Sequence, residues 1–346
     1  MKYKDSIVIL FGGESRERFV SVATAQNISN ALPEADIWFW SKDGSVYNIA
    51  RDELMSHVNV FNSEFVPMQK NIIAPTLENA FDLRNSKNKL FVLATHGGNG
   101  ENGVIQKWLE TRKLRFTGSG SKSSFLCMNK SIAKKIMKSH GFKTANFELI
   151  SNKNKQDIAM ILDQMILKYK VLVLKPNTEG SSIGMSIIKS NNKDHLFNIL
   201  EQFPEEIYLL EQYISGTEIT VPVNVCSNKT INALMPIEIK INDKSVFANY
   251  EAKYLGTGIS EIIPAGIPKS TMSIAKEIAI SAHNLLECRG YSRTDLIVKE
   301  NDIFYLETNS LPGLTKYSLM PKALSYENIS MREFIIQQLE FANCSN

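Results

Sequence analysis

The sequence has little cysteine and no long apolar run. Its four cysteines form no C-x-x-C pair, and three of them lie in apolar contexts, where a free thiol is usually a small core residue. This pattern disfavours a disulfide framework and indicates a reducing compartment, which we expect to be the cytoplasm. The apolar run in the N-terminal MKYKDSIVILFGG is too short for a membrane span and lacks a signal-peptide cleavage pattern, so we expect no membrane association.

The sequence also lacks a concentration of charge and two common phosphate-binding loops. The net charge is only +3, and there is no arginine-rich or aromatic-interleaved patch, so no nucleic-acid partner is expected. There is neither a G-x-x-x-x-G-K-[ST] motif nor a G-x-G-x-x-G motif between a strand and a helix. A nucleotide phosphate needs only a few well-placed lysines, so the small charge does not exclude one.

The chain length suits two or three domains. In residues 1–120, the apolar run Ser6–Phe11 feeds a glycine turn, and Arg18–Leu32 has helical periodicity. A second buried strand, Lys89–Ala94, ends in another glycine-rich loop that precedes an amphipathic helix. This pattern predicts an α/β domain with a mostly parallel sheet and with ligands at the carboxyl ends of its strands. The segment Lys42–Ser86 gives no clear prediction.

Two further sections of mixed α and β character follow. Residues 121–210 read as a small α+β domain in which strands Val171–Lys175 and Met185–Ile188 form a β-hairpin. Residues 211–346 contain an alternating strand at Glu218–Val225, a helix at Ser270–Leu286 and a C-terminal helix at Met331–Phe341. We therefore predict three domains, with boundaries near residues 120 and 210.

Two predicted neighbouring strands carry oxygen-bearing side chains at one end. Glu307 and Asn309 follow one strand, and Arg293 and Asp295 begin the other. Because residues i and i+2 of a strand point to the same face, Glu307 and Asn309 can converge on one hard cation. The pattern therefore indicates a divalent-metal platform for a polyphosphate. Glu-x-Asn alone would be better explained as an acidic strand end beside a turn.

The loop of the predicted hairpin is rich in glycine and serine, and such loops offer backbone N–H groups to phosphate oxygens. Lys130 begins a predicted helix and Lys175 ends the strand before this loop, so two ammonium groups are available to phosphates. Taken by itself, the loop fits an ordinary flexible hairpin equally well. At the next section boundary, backbone groups of Glu211–Ile214 could pair with an adenine edge, and Glu218 could meet ribose hydroxyls.

Seven motifs occur in a fixed order, and together they identify a family more specifically than any one of them does alone. They are GGESRERFVS, HGGNGENG, KPNTEGSSIGM, EQYISGTEITV, EAKYL, RTD and ETNSLPGLTKYSLMP. With this order and spacing, the chain resembles the D-alanine–D-alanine ligases of the ATP-grasp superfamily from about Gly12 to Pro321. The resemblance implies an α/β fold of ATP-grasp architecture, in which an N-terminal parallel α/β domain is joined to two α+β domains that clasp the nucleotide.

The resemblance also implies roles for the substrate-binding residues. Glu17 would bind the amino group of the first D-alanine, with Ser181 and Tyr254 linked to it, and with His96 and Glu101 nearby. The carboxylate of the second D-alanine would be held by Lys253 and Ser318, beside Leu319. Arg293 and the backbone N–H of Gly313 would face the tetrahedral centre. The Glu251–Gly258 segment, which ends in glycines, would serve as a lid.

The same resemblance implies how ATP and metal would be held. ATP is the expected co-substrate, together with two Mg²⁺ or Mn²⁺ ions, and the metal ligands would be Asp295, Glu307 and Asn309. The ATP-binding residues would be Lys130, Lys175, Glu179, Gly180, Ser181, Ser182, Glu211, Gln212, Ile214 and Glu218. The expected activity is D-alanyl-D-alanine formation through an acyl phosphate for peptidoglycan precursors, by a homodimer whose partners are otherwise small molecules.

Two positions depart from the family pattern, and two other readings stay open. Asn102 and Asn129 stand where the family usually has Asp, which makes an altered substrate preference or a lower activity plausible. A sister ligase would use D-serine, D-lactate or another amino acid as second substrate, although Tyr254 favours the dipeptide enzyme. A non-catalytic nucleotide-binding protein is disfavoured because every candidate phosphate and metal residue is present.

Overall fold

The computed structural model describes residues 6–68, 71–151, 155–180, 184–241 and 259–343. The described strands are, in chain order, β1 (Ser6–Gly12), β2 (Asp36–Trp40), β3 (Val46–Asn48), β4 (Ile72–Ala74), β5 (Lys89–Leu93), β6 (Arg115–Phe116), β7 (Lys143–Thr144), β8 (Phe147–Ile150), β9 (Leu172–Pro176), β10 (Ser186–Ile188), β11 (Tyr208–Gln212), β12 (Thr217–Val225), β13 (Ile231–Ala233), β14 (Ile237–Ile241), β15 (Ile259–Ile262), β16 (Tyr291–Lys299) and β17 (Asp302–Asn309).

The described α-helices alternate with strands in the N-terminal third and are more unevenly spread beyond it. They are α1 (Arg18–Ala31), α2 (Arg51–Ser56), α3 (Leu77–Asp82), α4 (Val104–Thr111), α5 (Ser121–Met128), α6 (Lys130–Ser139), α7 (Lys155–Tyr169), α8 (Lys193–Gln202), α9 (Lys269–Leu285), α10 (Leu319–Tyr326) and α11 (Met331–Asn343). Within these described ranges, no helix is long and apolar enough to cross a membrane.

The first sheet has the strand order β4-β3-β2-β1-β5-β6. β1 pairs in parallel with β2 and β5, and β5 pairs in parallel with β6, whereas β3 and β4 add an antiparallel edge. The prediction of a mostly parallel sheet is therefore confirmed. The loops after β1 and β5 emerge side by side at the carboxyl edge, where an open parallel sheet binds ligands.

The core of the first sheet includes residues from the far end of the chain. β1 is buried from Ile7 onward, as expected for a central strand covered on both faces. Phe334, Ile335 and Leu339 of α11 belong to the same apolar cluster and are almost completely buried. The C-terminal helix therefore covers the N-terminal sheet.

The second sheet is antiparallel, with the order β10-β9-β11-β8. β9 and β10 form the predicted hairpin, with Ser186 opposite Leu174. Helices α7 and α8 contribute Leu162, Leu196 and Leu200 to the apolar cluster beneath this sheet. The hairpin prediction is confirmed, and the sheet presents the ends of β9 and β11 toward the third sheet.

The third sheet has the order β15-β14-β12-β16-β17-β7, and β13 pairs with β12. Its pairs are antiparallel apart from β17 with β7. Helices α6 and α9 cover one face, where Ala133 and Met137 of α6 join Ala275 and Ala279 of α9 in one apolar cluster. The three-domain division with boundaries at 120 and 210 stays a prediction.

Candidate active site

The predicted oxygen ligands lie on β16 and β17, which are adjacent and antiparallel. Asp295 stands opposite Glu307, and Arg293 stands opposite Asn309. Because directly opposed residues of a strand pair point to the same face, all four side chains meet at one end of the sheet. The i, i+2 spacing seen in the sequence therefore brings together the residues that it predicted.

The Asp295 carboxylate is held on several sides. Arg293 donates through Nε to Oδ1 and through Nη2 to Oδ2, each at 3.0 Å. Asn309 donates through Nδ2 to Oδ2 at 3.2 Å, and the Thr220 hydroxyl donates to Oδ1. In this structure the Arg293 guanidinium is therefore engaged with Asp295, beside the position where the sequence resemblance places the reacting carbon.

The donor set of this platform fits a hard cation. Asp295, Glu307 and Asn309 offer carboxylate and amide oxygens, which Mg²⁺ prefers in proteins. Among the residues that the structure describes, no group of three or more His, Cys, Asp or Glu side chains is arranged to hold a metal. The platform has two carboxylates and one amide, so the remaining oxygens of a full coordination shell would have to come from phosphates and water.

The turn after β17 holds Ser318 close to Gly313. The Ser318 hydroxyl accepts from the Thr315 N–H at 3.1 Å and lies 2.7 Å from the Thr315 hydroxyl. A Cβ atom at Gly313 would lie 2.8 Å from Ser318 Oγ, so only glycine fits there. Ser318 is also the N-cap of α10, although its hydroxyl makes no capping hydrogen bond. The turn therefore fixes a backbone N–H and a hydroxyl within one small space.

The buried Glu17 and the half-buried Glu101 form a pair of acids, which we call the acidic corner. Glu17 is the N-cap residue of α1, and Glu101 lies in the loop after β5, where its Oε2 accepts from the Gly97 N–H at 3.0 Å. Burial, with the charge of Glu17 adding to it, raises the pKa of Glu101 to about 8. A Cβ at Gly97 would lie 2.5 Å from Glu17 Oε2, so this loop needs its glycine.

His96 borders the acidic corner as a neutral side chain. Burial lowers the pKa of His96 to about 4. Its Nε2 lies 3.0 Å from the Thr24 hydroxyl of α1. His96 is therefore an uncharged hydrogen-bonding group at the pH values where most enzymes work.

Lys130 on α6 and Lys175 on β9 bring two ammonium groups toward the platform of Asp295, Glu307 and Asn309. Lys130 Nζ donates to the backbone oxygen of Glu179 at 2.5 Å and lies 3.6 Å from Glu307 Oε2. Lys175 Nζ lies 2.6 Å from Glu211 Oε1. Lys175 is therefore anchored by a carboxylate and Lys130 chiefly by a backbone carbonyl, and Lys130 links the loop after β9 to β17.

A second lysine of α6, Lys134, joins the same network. Its Nζ lies 3.0 Å from Glu211 Oε2, and its side chain is completely buried. We call Lys134, Glu211 and Lys175 the lysine cluster. Sequence reasoning missed Lys134, although its position four residues after Lys130 places both on one face of the helix, and that spacing was the available signal.

The charged groups of the lysine cluster shift one another's pKa values. Burial acts to raise the pKa of Glu211, but the charges of Lys134 and Lys175 outweigh it and lower that pKa. Burial acts to lower the pKa of Lys175, but Glu211 and Glu307 outweigh it and raise that pKa. Burial lowers the pKa of Lys134 to about 8, against the attraction of Glu211. Glu211 therefore stays ionised, and Lys175 stays protonated.

One cavity joins the acidic corner, the platform and the turn. The predicted residues that line it are Glu17, His96, Glu101, Gly180, Glu218, Arg293, Asp295, Glu307, Asn309, Gly313, Ser318 and Leu319. Glu261 and Tyr317, which the sequence did not single out, line it as well. The motifs from three distant parts of the sequence therefore share one space.

The other predicted residues lie around this cavity or outside the described part of the chain. Gln212 Oε1 accepts from Asn146 Nδ2 at 3.3 Å, and Ile214 is buried. Glu179 has a raised pKa, chiefly through desolvation of its carboxylate. Four predicted residues and the predicted lid fall in ranges that the structure does not describe: Ser181, Ser182, Lys253, Tyr254 and Glu251–Gly258.

The two asparagines that depart from the family pattern both stabilise chain turns. Asn129 is the N-cap of α6, and its Oδ1 accepts from the Ile132 N–H at 3.1 Å. Asn102 Oδ1 accepts from the Val104 N–H at 3.1 Å. Aspartate can accept the same hydrogen bonds, so these positions differ from the family in charge and, at Asn102, in the hydrogen bond that its Nδ2 donates to Asn99 Oδ1 at 3.4 Å.

Comparisons with known proteins agree with the motif order. Residues 6–119 match the family model described as the D-ala D-ala ligase N-terminus, and residues 136–340 match the one described as the D-ala D-ala ligase C-terminus. A D-alanine–D-alanine ligase from Syntrophobacter fumaroxidans is 33% identical over 342 residues, which is 98% of each chain.

Solved structures show the same fold. A D-alanine–D-alanine ligase from Bacillus anthracis complexed with ATP is 25% identical with a TM-score of 0.71, covering 98% of this chain and 97% of its own. A D-Ala:D-Ser ligase from Enterococcus faecalis, at 23% identity, has a TM-score of 0.80 and covers 98% and 99% of the two chains. The predicted α/β fold of ATP-grasp architecture is thereby confirmed.

Proposed function

The chain belongs to the D-alanine–D-alanine ligase family, and from that membership we propose that it joins two D-alanines into D-alanyl-D-alanine at the expense of ATP. The product would serve as a peptidoglycan precursor. The observation that carries the proposal is the single cavity in which the acidic corner, the oxygen-ligand platform and the Ser318 turn meet. Such a cavity can hold an ammonium group, a polyphosphate and a carboxylate at once.

We propose that the first D-alanine binds at the acidic corner. An ammonium group placed beside Glu17 would neutralise part of the negative charge there, with Ser181 and Tyr254 shaping the pocket around it. His96 and Glu101 would stand next to this substrate, and the neutral His96 would add no repulsion toward an ammonium group. The carboxylate of this D-alanine would point toward the platform, where it can accept a phosphoryl group and become an acyl phosphate.

ATP would lie between the second and third sheets. Lys130, Lys175 and the Glu179–Ser182 loop would hold its phosphates. Backbone groups of Glu211, Gln212 and Ile214 would meet the adenine, and Glu218 would meet the ribose hydroxyls. Asp295, Glu307 and Asn309 would hold two Mg²⁺ or Mn²⁺ ions, which when bound neutralise charge on the phosphates during transfer.

The second D-alanine would be oriented by groups at the other end of the cavity. Lys253 and Ser318 would hold its carboxylate, and Leu319 would border its side chain. Its amine then attacks the acyl carbon, and the oxyanion that forms needs fixed donors. We propose Arg293 and the Gly313 N–H for that task, because removing one such donor typically costs about 100- to 1000-fold in rate. The assembly that carries this site would be a cytoplasmic homodimer, as is usual in the family.

Release of ADP and phosphate tests the proposal directly. The purified chain is incubated with ATP, Mg²⁺ and a panel of D-amino acids, with L-alanine as the stereochemical control and D-lactate as a depsipeptide-forming acceptor. D-alanine alone should stimulate ADP release, and mass spectrometry should find D-alanyl-D-alanine. Stimulation only when D-serine or D-lactate accompanies D-alanine would assign a sister ligase, and no stimulation by any amino acid would refute the proposal.

A further inference from the structure

Lys134 reaches from one layer of the molecule into another. Helix α6, which carries it, packs on the third sheet through Ala133 and Met137. Its ammonium group nevertheless contacts Glu211, which lies on β11 of the second sheet. The start of the same helix is tied to the end of β9, because the Lys130 N–H donates to the Asn177 backbone oxygen and the Ser131 N–H donates to its side chain, each at 3.0 Å.

Each carboxylate oxygen of Glu211 contacts a different lysine. Oε1 lies 2.6 Å from Lys175 Nζ, and Oε2 lies 3.0 Å from Lys134 Nζ. β9 and β11 are antiparallel neighbours in which Lys175 stands opposite Leu209, so Glu211 is its diagonal neighbour on the same face. The contact between Lys134 Nζ and Glu211 Oε2 is an ion pair without hydrogen-bond geometry. Because each oxygen of Glu211 faces one ammonium group, turning the carboxylate would separate these pairs, and Glu211 therefore restrains the position of the Lys175 ammonium group.

One lysine would be enough to neutralise Glu211. Burying a further ammonium group costs several kcal/mol unless another partner compensates for it, so a purely structural ion pair would be more stable without it. The Lys134 side chain is completely buried, and the Glu211 side chain is 4% exposed. Two cations with one anion leave an excess of one positive charge, beside the space that the proposed function gives to the phosphates.

We propose that Lys134 is a positioning residue for the nucleotide phosphates, which holds the Glu211 carboxylate so that Lys175 faces them with an undiminished charge. This inference rests on the proposed function only in assuming that ATP binds between the second and third sheets. Without Lys134, Lys175 would be the only lysine of the cluster left to pair with Glu211. The negative charge of Glu211 would then offset more of the Lys175 charge and weaken the attraction of that lysine for phosphate. Lys134 itself acts through Glu211 and does not touch the nucleotide.

The test compares ATP with adenosine, which lacks the phosphates. Lys134→Met keeps the length of the side chain and removes its charge, and Lys135→Met makes the same change at the exposed neighbouring residue of α6 as a matched control. Affinities are measured by displacement of a fluorescent ATP analogue. We expect Lys134→Met to weaken ATP binding about tenfold or more, to leave adenosine binding within about twofold, and Lys135→Met to change neither.

A second substitution checks that the effect passes through Glu211. In the Glu211→Gln background, Lys134→Met should weaken ATP binding much less than in the wild-type background, because interacting residues show non-additive effects. If Lys134→Met lowers the melting temperature so far that binding is lost altogether, Lys134→Gln, which keeps a donor for Glu211, undergoes the same ATP-against-adenosine comparison.

Two results would overturn the inference. Equal weakening of ATP and adenosine would make Lys134 a packing residue, and unchanged ATP affinity in a folded variant would make its charge irrelevant to phosphate. Failure of the proposed function is separable from both, because a wild-type chain that binds ATP in a Lys134-dependent way but releases no ADP with D-alanine would refute the ligase proposal alone.

Discussion

The acidic corner and the lysine cluster differ in the sign of the charge to which their own residues sum. In the acidic corner, burial and Glu17 raise the pKa of Glu101 to about 8, so adding a second negative charge there is costly. In the lysine cluster, Glu211 stays ionised between two lysines, and the sum of the three charges is positive. The protein therefore keeps a negative excess in one place and a positive excess in the other.

The difference corresponds to the charges of the proposed substrates. In the proposed function an ammonium group would bind beside the acidic corner and phosphates beside the lysine cluster, so each cluster would receive a ligand of opposite charge. In the platform, the Asp295 charge is paired with Arg293 through two hydrogen bonds, and Glu307 Oε2 lies 3.6 Å from Lys130 Nζ. In the proposed function, the charged groups of both clusters would serve ligand binding as well as stability.

The largest expected effect comes from Glu307→Gln, which alters the platform between the two clusters. Glu307 contributes a negative charge close to Lys130 and acts electrostatically on both buried lysines of the lysine cluster. Losing a metal-ligand charge should lower turnover about 1000-fold or more, because metal stabilisation of the transition state is worth several kcal/mol. ADP release measures this loss. Near-normal turnover would remove Glu307 from the metal site, and Glu300→Gln, at the exposed turn between β16 and β17, should have no effect.

Glu17→Gln should remove a negative charge from the acidic corner and leave the lysine cluster unchanged. Charge-assisted hydrogen bonds contribute about 1.5–3 kcal/mol, so the D-alanine concentration needed for half-maximal ADP release should rise about 10- to 100-fold. The affinity for ATP, measured by displacement titration, should stay within about twofold. A matching loss of ATP affinity would show that the two clusters are not independent. The exposed Glu78→Gln serves as the control.

Glu101→Gln should make the acidic corner insensitive to pH. Because burial and Glu17 raise the folded-state pKa of Glu101 from 4.5 to about 8, the folded protein holds a proton that the unfolded chain releases. The stability from this group is complete below about pH 4.5 and is lost as the pH rises toward 8. Urea unfolding at pH 5 and pH 8 should show a wild-type loss, of up to a few kcal/mol, that the variant lacks. An equal loss in both proteins would contradict the assigned pKa, and exposed Glu333→Gln should behave as wild type.

The smallest effects belong to the two asparagines, one beside each cluster. Asn129→Asp keeps the cap of α6 and adds a negative charge at a helix N-terminus, so it should change the free energy of unfolding by no more than about 1 kcal/mol, in the stabilising direction. Asn102→Asp adds negative charge next to Glu101 and should destabilise slightly at pH 8. Paired melting curves of the two variants measure the difference, and effects of the same sign would contradict the contrast between the clusters.

The parts of the site that are local in sequence could be predicted. The i, i+2 spacing of Glu307 and Asn309 and the strand–glycine–helix order around Glu17 depend only on backbone geometry and apolar periodicity. Lys134 could not be assigned, because its partner Glu211 lies in another sheet and nothing local connects them. The short elements between Lys42 and Ser86 also went unpredicted, since strands such as β3 and β4, of three residues each, carry too little periodicity to read.

Long-range packing could not be predicted from the sequence either. The periodicity of α11 predicted a helix but not the sheet that it covers. The site roles of the predicted residues also drew on the family resemblance, because an amide and a carboxylate near a turn have many other uses. What the residues alone established was the type of group at each position and the element that carries it.

The packing of α11 on the first sheet has a consequence for protein synthesis. Phe334, Ile335 and Leu339 complete a core that contains β1, so the first sheet is covered only after a helix about 300 residues further along the chain has been made. While the ribosome is still translating, the face of the sheet that α11 will cover stays open to chaperones and to other nascent chains. Premature termination even a few codons before Phe334 would therefore release a chain with an unsealed N-terminal core, although every residue of the candidate site had already been made.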